Sequence, residues 1–236
     1  SNLLMKKINK QGEEEPRKIL RNLRTILQHD ARFAKKIWRN HLGQRDCIGG
    51  DVVTDEWVTS VRDLIEPEYG LSYGKDDTWD VIKLIASQNE IHPVKEYLRS
   101  LTWDGMDRIP QLAGALGQPT GDSFIITILR KFLISAVVRP WGWDIPSQNM
   151  KVDTVLILKG SQGKRKSSFF KALCKDPQWF SDSLPSIERE RKDASIHVCG
   201  KWLIEQPEFE GYVARASVEV MKAFTTRETE TYRPPY

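Results

Sequence analysis

A lysine and a hydroxyl at the end of a glycine-spaced turn are the residues best placed to do chemistry here: Gly160-Ser161-Gln162-Gly163-Lys164-Arg165-Lys166-Ser167. Backbone N–H groups of such a turn can face phosphate oxygens, and a helix starting beyond it adds a favourable potential for an anion. Lys166 would neutralise β- and γ-phosphates, and the Ser167 hydroxyl would hold magnesium. The frame follows from the pattern G-x-x-x-x-G-K-[ST]. Taking Gly163-Lys164 as the glycine–lysine pair puts Arg165 in the hydroxyl position and removes the upstream glycine. Taking Lys166-Ser167 keeps Gly160, the lysine and the hydroxyl, and loses only the second glycine, where Arg165 stands. The second frame is better, and Gly160, Gly163, Lys166 and Ser167 are the candidate nucleotide ligands. If position 165 needs a positive φ, arginine there costs roughly 1 kcal/mol or more relative to glycine. Its side chain must also point away from a triphosphate, so weak ATP binding is expected. Taken alone, the turn reads either as a nucleotide site or as a basic surface turn.

Two acids could complete such a site. Trp202-Leu203-Ile204 is a short apolar run with Glu205 at its end and Glu208 three residues on. A carboxylate after a hydrophobic strand beside a phosphate loop can hold the water shell of magnesium or orient an attacking water. Glu205 and Glu208 are the candidate catalytic acids, and Ser167 with Glu205 the candidate magnesium holders. The bland alternative is two surface glutamates around a turn at Pro207. A third feature is Val218 to Phe224, a helical stretch carrying Lys222, followed by a basic and aromatic segment with Arg227 and Arg233. That segment could run along a phosphate backbone, or it could be an ordinary helix end with cations near its C-terminus.

The elements that must position these residues follow from periodicity. Val155-Leu156-Ile157-Leu158 reads as a strand before the loop, and 168–173 as a helix after it. Before them the pattern is mostly helical. Ile19, Leu20, Leu23, Ile26 and Leu27 recur at helix spacing. Asp30 is expected to cap a second helix with Phe33, Ile37, Trp38 and Leu42 on one stripe, ending at Gly43. Gly49-Gly50-Asp51 is a turn. Thr54 is expected to start a helix through Ile65, another runs from about Asp77, and Pro93 opens a further one through Leu101. Trp103-Asp104-Gly105 is a turn, 114–121 a loop, and Phe124 to Val138 a helix. The grammar changes near Lys151, where α/β text begins. The expected organisation is therefore an N-terminal helical region over 1–90, helices and a connector over 91–150, and a P-loop core over 151–236.

Composition bounds the function classes. The chain has 236 residues, 39% hydrophobic and 29% charged, within the range of globular proteins. No apolar run approaches the roughly 20 residues of a membrane span, so no membrane partner is expected. The three cysteines, Cys47, Cys174 and Cys199, give neither a zinc spacing nor an even disulfide framework, which suits a reducing cytoplasm. The net charge of +4 permits a nucleic-acid partner without demanding one. The eight tryptophans read first as packing residues and second as base-stacking platforms.

Several segments in order resemble the virulence-associated E family of phage- and island-encoded ATPases, which is similar to superfamily III helicases and to phage primase-helicases. Ile91-His92-Pro93-Val94-Lys95-Glu96-Tyr97-Leu98 and Leu101-Thr102-Trp103-Asp104-Gly105-Met106-Asp107-Arg108 resemble its HPVREYL and WDG signatures. Trp179 to Pro185 resembles its WFSDSLP segment, and Gly200 to Glu205 with Glu208-Phe209 its acidic strand. Lys222-Ala223-Phe224 through Tyr232-Arg233-Pro234-Pro235-Tyr236 resembles its KAF and YR motifs. The resemblance implies an α/β P-loop core of AAA+ type behind a mostly α-helical domain. It also implies ATP and magnesium as ligands and a helicase or translocase role in replicating phage or mobile-island DNA. Glu205 and Glu208 would take the Walker B positions, and Lys222, Arg227 and Arg233 would face DNA. Implied partners are single-stranded or fork DNA, further copies of the chain in a ring, and a primase or other replication protein. The family continues past the position of Tyr236 into an Asn-bearing sensor strand and an arginine given to the neighbouring subunit, so the core is expected to be incomplete at its C-terminus. Because Arg165 departs from the family glycine, a non-catalytic DNA- or partner-binding module stands as the alternative. A nucleotide-gated oligomerisation switch is a third reading.

Overall fold

The chain divides into two units, Ser1–Pro93 and Val94–Tyr236. The computed structural model describes residues 3–142, 152, 154–161, 163–185, 191–206, 219 and 223.

The first unit begins with an antiparallel hairpin, β1 (Lys6–Ile8) and β2 (Glu14–Pro16). Asn9 turns the chain between them, its Oδ1 accepting from Gln11 N at 3.0 Å and Glu13 N at 2.8 Å. One buried amide ties this hairpin to α1 (Leu20–His29). Asn22 Oδ1 accepts from Met5 N at 2.8 Å, and its Nδ2 donates to Met5 O at 2.7 Å and Arg17 O at 2.8 Å. Met5 precedes β1 and Arg17 follows β2, so a single side chain pins both ends of the hairpin and leaves its own amide satisfied. Leu23, Ile26 and Leu27 on the same helix are buried, as their spacing predicts.

A four-stranded sheet follows in the order β5-β4-β3-β6. Strands β3 (Ile37–Asn40), β4 (Arg45–Ile48) and β5 (Asp51–Val52) form an antiparallel meander, and β6 (Glu90–Ile91) returns parallel to β3. The return runs through α2 (Asp55–Tyr69) and α3 (Lys75–Gln88). Thr54 caps α2 by accepting from Trp57 N, and Gly70 ends it in the left-handed region at φ +65°, where glycine carries no Cβ penalty. Ile37 and Ile48 sit opposite each other across β3 and β4 and are both buried. They join Val58, Val61, Ile65, Val81, Ile82 and Ile85 in one core.

This unit is mixed α/β, not the mostly helical region expected over 1–90. The helix expected over Phe33 to Leu42 is a turn followed by β3. Asp30 does not cap a new helix: its backbone N–H closes α1 on Ile26 O at 2.8 Å, and its carboxylate binds Arg32. Lys35 takes φ +59°, which no helix interior tolerates. Ile37 and Trp38 then find a strand partner in Ile48 and Cys47, and side chains of this type pack well on a pleated surface.

In the second unit α4 (Pro93–Arg99) starts on its proline, as expected. α5 (Ile109–Ala115) follows the Trp103-Asp104-Gly105 turn, and α6 (Ser123–Trp141) is capped by Asp122, whose Oδ1 accepts from Phe124 N at 2.9 Å and Ile125 N at 3.2 Å. Then come α7 (Lys166–Leu173), a single 3-10 turn at Pro177–Trp179, β7 (Phe180–Ser181), α8 (Arg191–Val198) and β8 (Leu203–Ile204). β7 and β8 are parallel, with Phe180 opposite Leu203 and Ser181 opposite Ile204. Parallel neighbours need a crossover, and α8 lies in it. The strand expected at Val155–Leu158 is not formed among the described residues there, and Val155 and Ile157 are exposed. Among the described residues no strand pairs with it, and an apolar run without a ladder has propensity but no partner for its backbone.

Candidate nucleotide site

The loop before α7 holds two residues at positive φ, separated by Lys164. Gly163 lies at φ +82°, a region open to glycine. Arg165 lies at φ +56°, ψ +30°, in the left-handed region, and serves as the residue before the first helical turn without a side-chain cap. The positive φ that the motif reserves for glycine is therefore present, occupied by arginine. The exposed Arg165 side chain follows Lys164 and precedes Lys166, so three cations stand in a row at the start of α7, where the helix potential is itself positive.

Lys166 folds back over the loop. Its Nζ donates to Gly160 O at 2.8 Å and Ser161 O at 3.0 Å. Two carbonyl dipoles thus hold the ammonium across the mouth of the turn, where a phosphate could compete for it. Ser167 points the other way along the site: its Oγ donates to Glu205 Oε1 at 2.8 Å, a contact between residues 38 positions apart. The loop brings Gly160, Gly163, Lys166 and Ser167 to one place, and the strand end brings Glu205 to Ser167.

Glu205 is held by its backbone. Its N–H donates to Ser181 O at 2.7 Å, and Trp202 N donates to Trp179 O at 2.7 Å, so both flanks of β8 are tied to the β7 segment. Trp202 anchors the strand further, with Nε1 donating to Ala136 O of α6 at 2.9 Å. Trp179, Trp202 and Tyr97 meet as three rings with centroids 5.8–6.3 Å apart. These tryptophans pack, which is the first of the two roles expected of them. On the other side, Phe170 of α7 meets Phe132 of α6 edge-on at 5.8 Å, fixing the helix that carries Ser167.

The second oxygen of Glu205, Oε2, is buried and accepts no hydrogen bond among the described residues, and the same is true of Gln206 Oε1. An unsatisfied buried carboxylate oxygen is expensive, and a cation or a cation's water shell would satisfy it. The donor set suits magnesium, a hard ion that keeps several waters and takes one carboxylate plus phosphate oxygens in place of a full protein cage. Among the described residues there is no cluster of three His, Cys, Asp or Glu side chains that could hold a metal alone. Ser167 and Glu205 fit a magnesium that arrives with a triphosphate.

Sequence reasoning missed Ser181 and His197. Ser181 is buried at the end of β7, and its Oγ lies 2.6 Å from His197 Nε2 on α8. In the sequence Ser181 falls within the Trp179 to Pro185 segment, whose resemblance assigns it no role, and His197 falls in no motif. Cys174, after α7, is buried, and burial pushes its thiol up to about 11. None of the cysteines is in a disulfide. Glu208, Lys222, Arg227 and Arg233, the second acid and the candidate DNA contacts, lie outside the described residues. Among the described residues no helix is long and apolar enough to cross a membrane.

Residues 98–236 match the virulence-associated protein E-like domain. That span is more than half of the chain and takes in every residue of the site, and the chain belongs to this family. Membership gives it a virulence-associated context. No curated protein matches the chain.

Proposed function

We propose that this protein binds ATP with magnesium at the loop 160–167 and works as an ATP-hydrolysing, helicase- or translocase-like protein on phage or mobile-island DNA. The observation that carries the reading is the 2.8 Å bond from Ser167 Oγ to Glu205 Oε1. It joins the hydroxyl of the motif to the strand-end carboxylate that the resemblance makes Walker B. In this reading the parent architecture is an AAA+-type α/β core, to which β7, β8, α7 and α8 contribute.

Each side chain then has a task. Gly160 and Gly163 let the backbone approach phosphate. Lys166 exchanges two loop carbonyls for β- and γ-phosphate oxygens, adding charge where negative charge gathers during transfer. Ser167 and Glu205 would hold magnesium, directly or through water, and the ion would supply positive charge against the triphosphate. Glu208 is proposed as the acid that orients the attacking water. Lys222, Arg227 and Arg233 are proposed to follow single-stranded or fork DNA, with copies of the chain arranged in a ring and a primase or similar protein alongside.

The test is a DNA-stimulated ATPase assay of the chain beside Lys166→Ala. Stimulated activity lost in the variant is the expected result. Identical background rates in both proteins would refute hydrolysis and leave a non-catalytic DNA- or partner-binding module.

A further inference from the structure

We propose that His197 is a positioning residue for Glu205, acting through Ser181; the inference rests on the nucleotide-site reading above. Three observations combine. First, Glu205 takes its backbone position from Ser181, whose carbonyl accepts from Glu205 N at 2.7 Å. Second, β7 and β8 are two residues each, with Ser181 at the last rung opposite Ile204, so Glu205 sits at the end of a short ladder. Third, the Ser181 side chain is buried and gripped: His197 Nε2 lies 2.6 Å from its Oγ, Ser183 Oγ lies 3.3 Å from it, and Ser183 N donates to it at 3.3 Å.

Ser183 N–H occupies one lone pair of Ser181 Oγ, which leaves the second lone pair and the hydroxyl's own proton for further partners. His197 Nε2 is nearer than Ser183 Oγ and shares a hydrogen bond with the Ser181 hydroxyl. His197 belongs to α8, the element that crosses between the two parallel strands. The imidazole therefore fixes the Ser181 rotamer from outside the ladder. Ser181 sets the height of Glu205, and Glu205 meets Ser167 and presents its unsatisfied Oε2. The line His197–Ser181–Glu205–Ser167 ends at the candidate magnesium holders. Ser181 is buried, so its hydroxyl is poorly placed to attack a substrate, and orientation is the chemistry assigned to the pair.

The consequence is specific to magnesium. Loss of His197 loosens Glu205 and leaves Lys166 and the glycines untouched. The experiment titrates the full chain with ATP by calorimetry, once with magnesium and once with EDTA, for wild type, Lys166→Ala, His197→Ala, His197→Gln, Ser181→Ala and the double variant His197→Ala with Ser181→Ala. In wild type, magnesium is expected to tighten ATP binding in a Lys166-dependent way. His197→Ala should lose that tightening by on the order of 10-fold, as removing an outer partner of a metal ligand does, with the magnesium-free affinity unchanged. Ser181→Ala keeps the backbone rung and should lose as much, with the double variant no worse than either single one. His197→Gln places an amide near the position of Nε2 and should restore binding. Normal magnesium tightening in His197→Ala overturns the inference and leaves the nucleotide site standing. An equal fall with and without magnesium, unrepaired by glutamine, makes His197 a scaffold residue and also overturns it. If His197→Ala does not fold, normal tightening in Ser181→Ala overturns it instead. No Lys166-dependent ATP binding in wild type overturns the nucleotide reading itself, and this inference with it.

Discussion

Arg165→Gly is the perturbation whose outcome the backbone geometry fixes most sharply. Position 165 holds φ +56°, ψ +30°. The left-handed region costs an L-residue about 1–2 kcal/mol, and glycine escapes that cost. Glycine in turn loses more freedom on folding, about 0.5–1 kcal/mol. The net expectation is a gain of about 0.5–1 kcal/mol in the stability of the folded chain, or about 1–4 °C in melting temperature for a protein of this size. Arg165→Ala is the control, because alanine meets the same left-handed penalty as arginine and removes the same charge as glycine. Thermal and urea unfolding of the three proteins should place glycine above alanine. The left-handed conformation belongs to the loop that starts α7, so the cost falls on the fold. Arg165→Gly should therefore leave the affinity for ATP with magnesium unchanged relative to Arg165→Ala. Glycine no more stable than alanine, or a large affinity gain for glycine alone, would refute the reasoning.

Two further perturbations test the first unit. Asn22→Ala leaves the Met5 N–H without its partner and takes one of two donors from each of the Met5 and Arg17 carbonyls, which keep Arg17 N and Ile19 N, and should cost about 1–3 kcal/mol; Asn22→Asp keeps the acceptor for Met5 N but sets an oxygen against both carbonyls and should not rescue it, and urea unfolding measures both. Asp30 is 7% exposed on its side chain. Its carboxyl is held at about 2, first by the hydrogen bond from Arg32 and also by Tyr69 OH, which donates at 3.0 Å. A depressed carboxylate contributes stability that is present above its unfolded value and lost as pH falls through its folded one. The contribution of about 2 kcal/mol should be complete above about pH 4 and gone below about pH 2. An acid-unfolding series in which Asp30→Asn shows the same slope as wild type across that window would contradict it.

How much was legible beforehand depended on whether a residue's role is local. The cap at Thr54, the helix opened by Pro93 and the burial of Leu23, Ile26 and Leu27 follow from neighbours a few positions away, and the sequence carries them openly. β3 was misread because Phe33, Ile37, Trp38 and Leu42 fit a helical stripe, and only the partner strand β4 and the positive φ of Lys35 decide otherwise. The loop frame at Lys166-Ser167 rests on the motif, and the acid at the end of β8 was legible from the apolar run before it. Ser181 and His197 were not. Their roles depend on a parallel pairing and on a helix laid beside it, and no spacing rule encodes either. Arg165 shows the intermediate case: sequence identified the residue that breaks the pattern, and the backbone shows where the cost falls.

The central claim is that Lys166, Ser167 and Glu205 form one magnesium-nucleotide site, and a double-mutant cycle between two of them tests it most directly. ATP affinity in magnesium is measured for wild type, Ser167→Ala, Glu205→Gln and the double variant, with Lys166→Ala as the reference for lost binding. The account predicts that each single change weakens binding and that the double change costs clearly less than the sum, because the 2.8 Å contact makes the two residues one unit. Strictly additive losses, or binding indifferent to both residues and to Lys166, would contradict it.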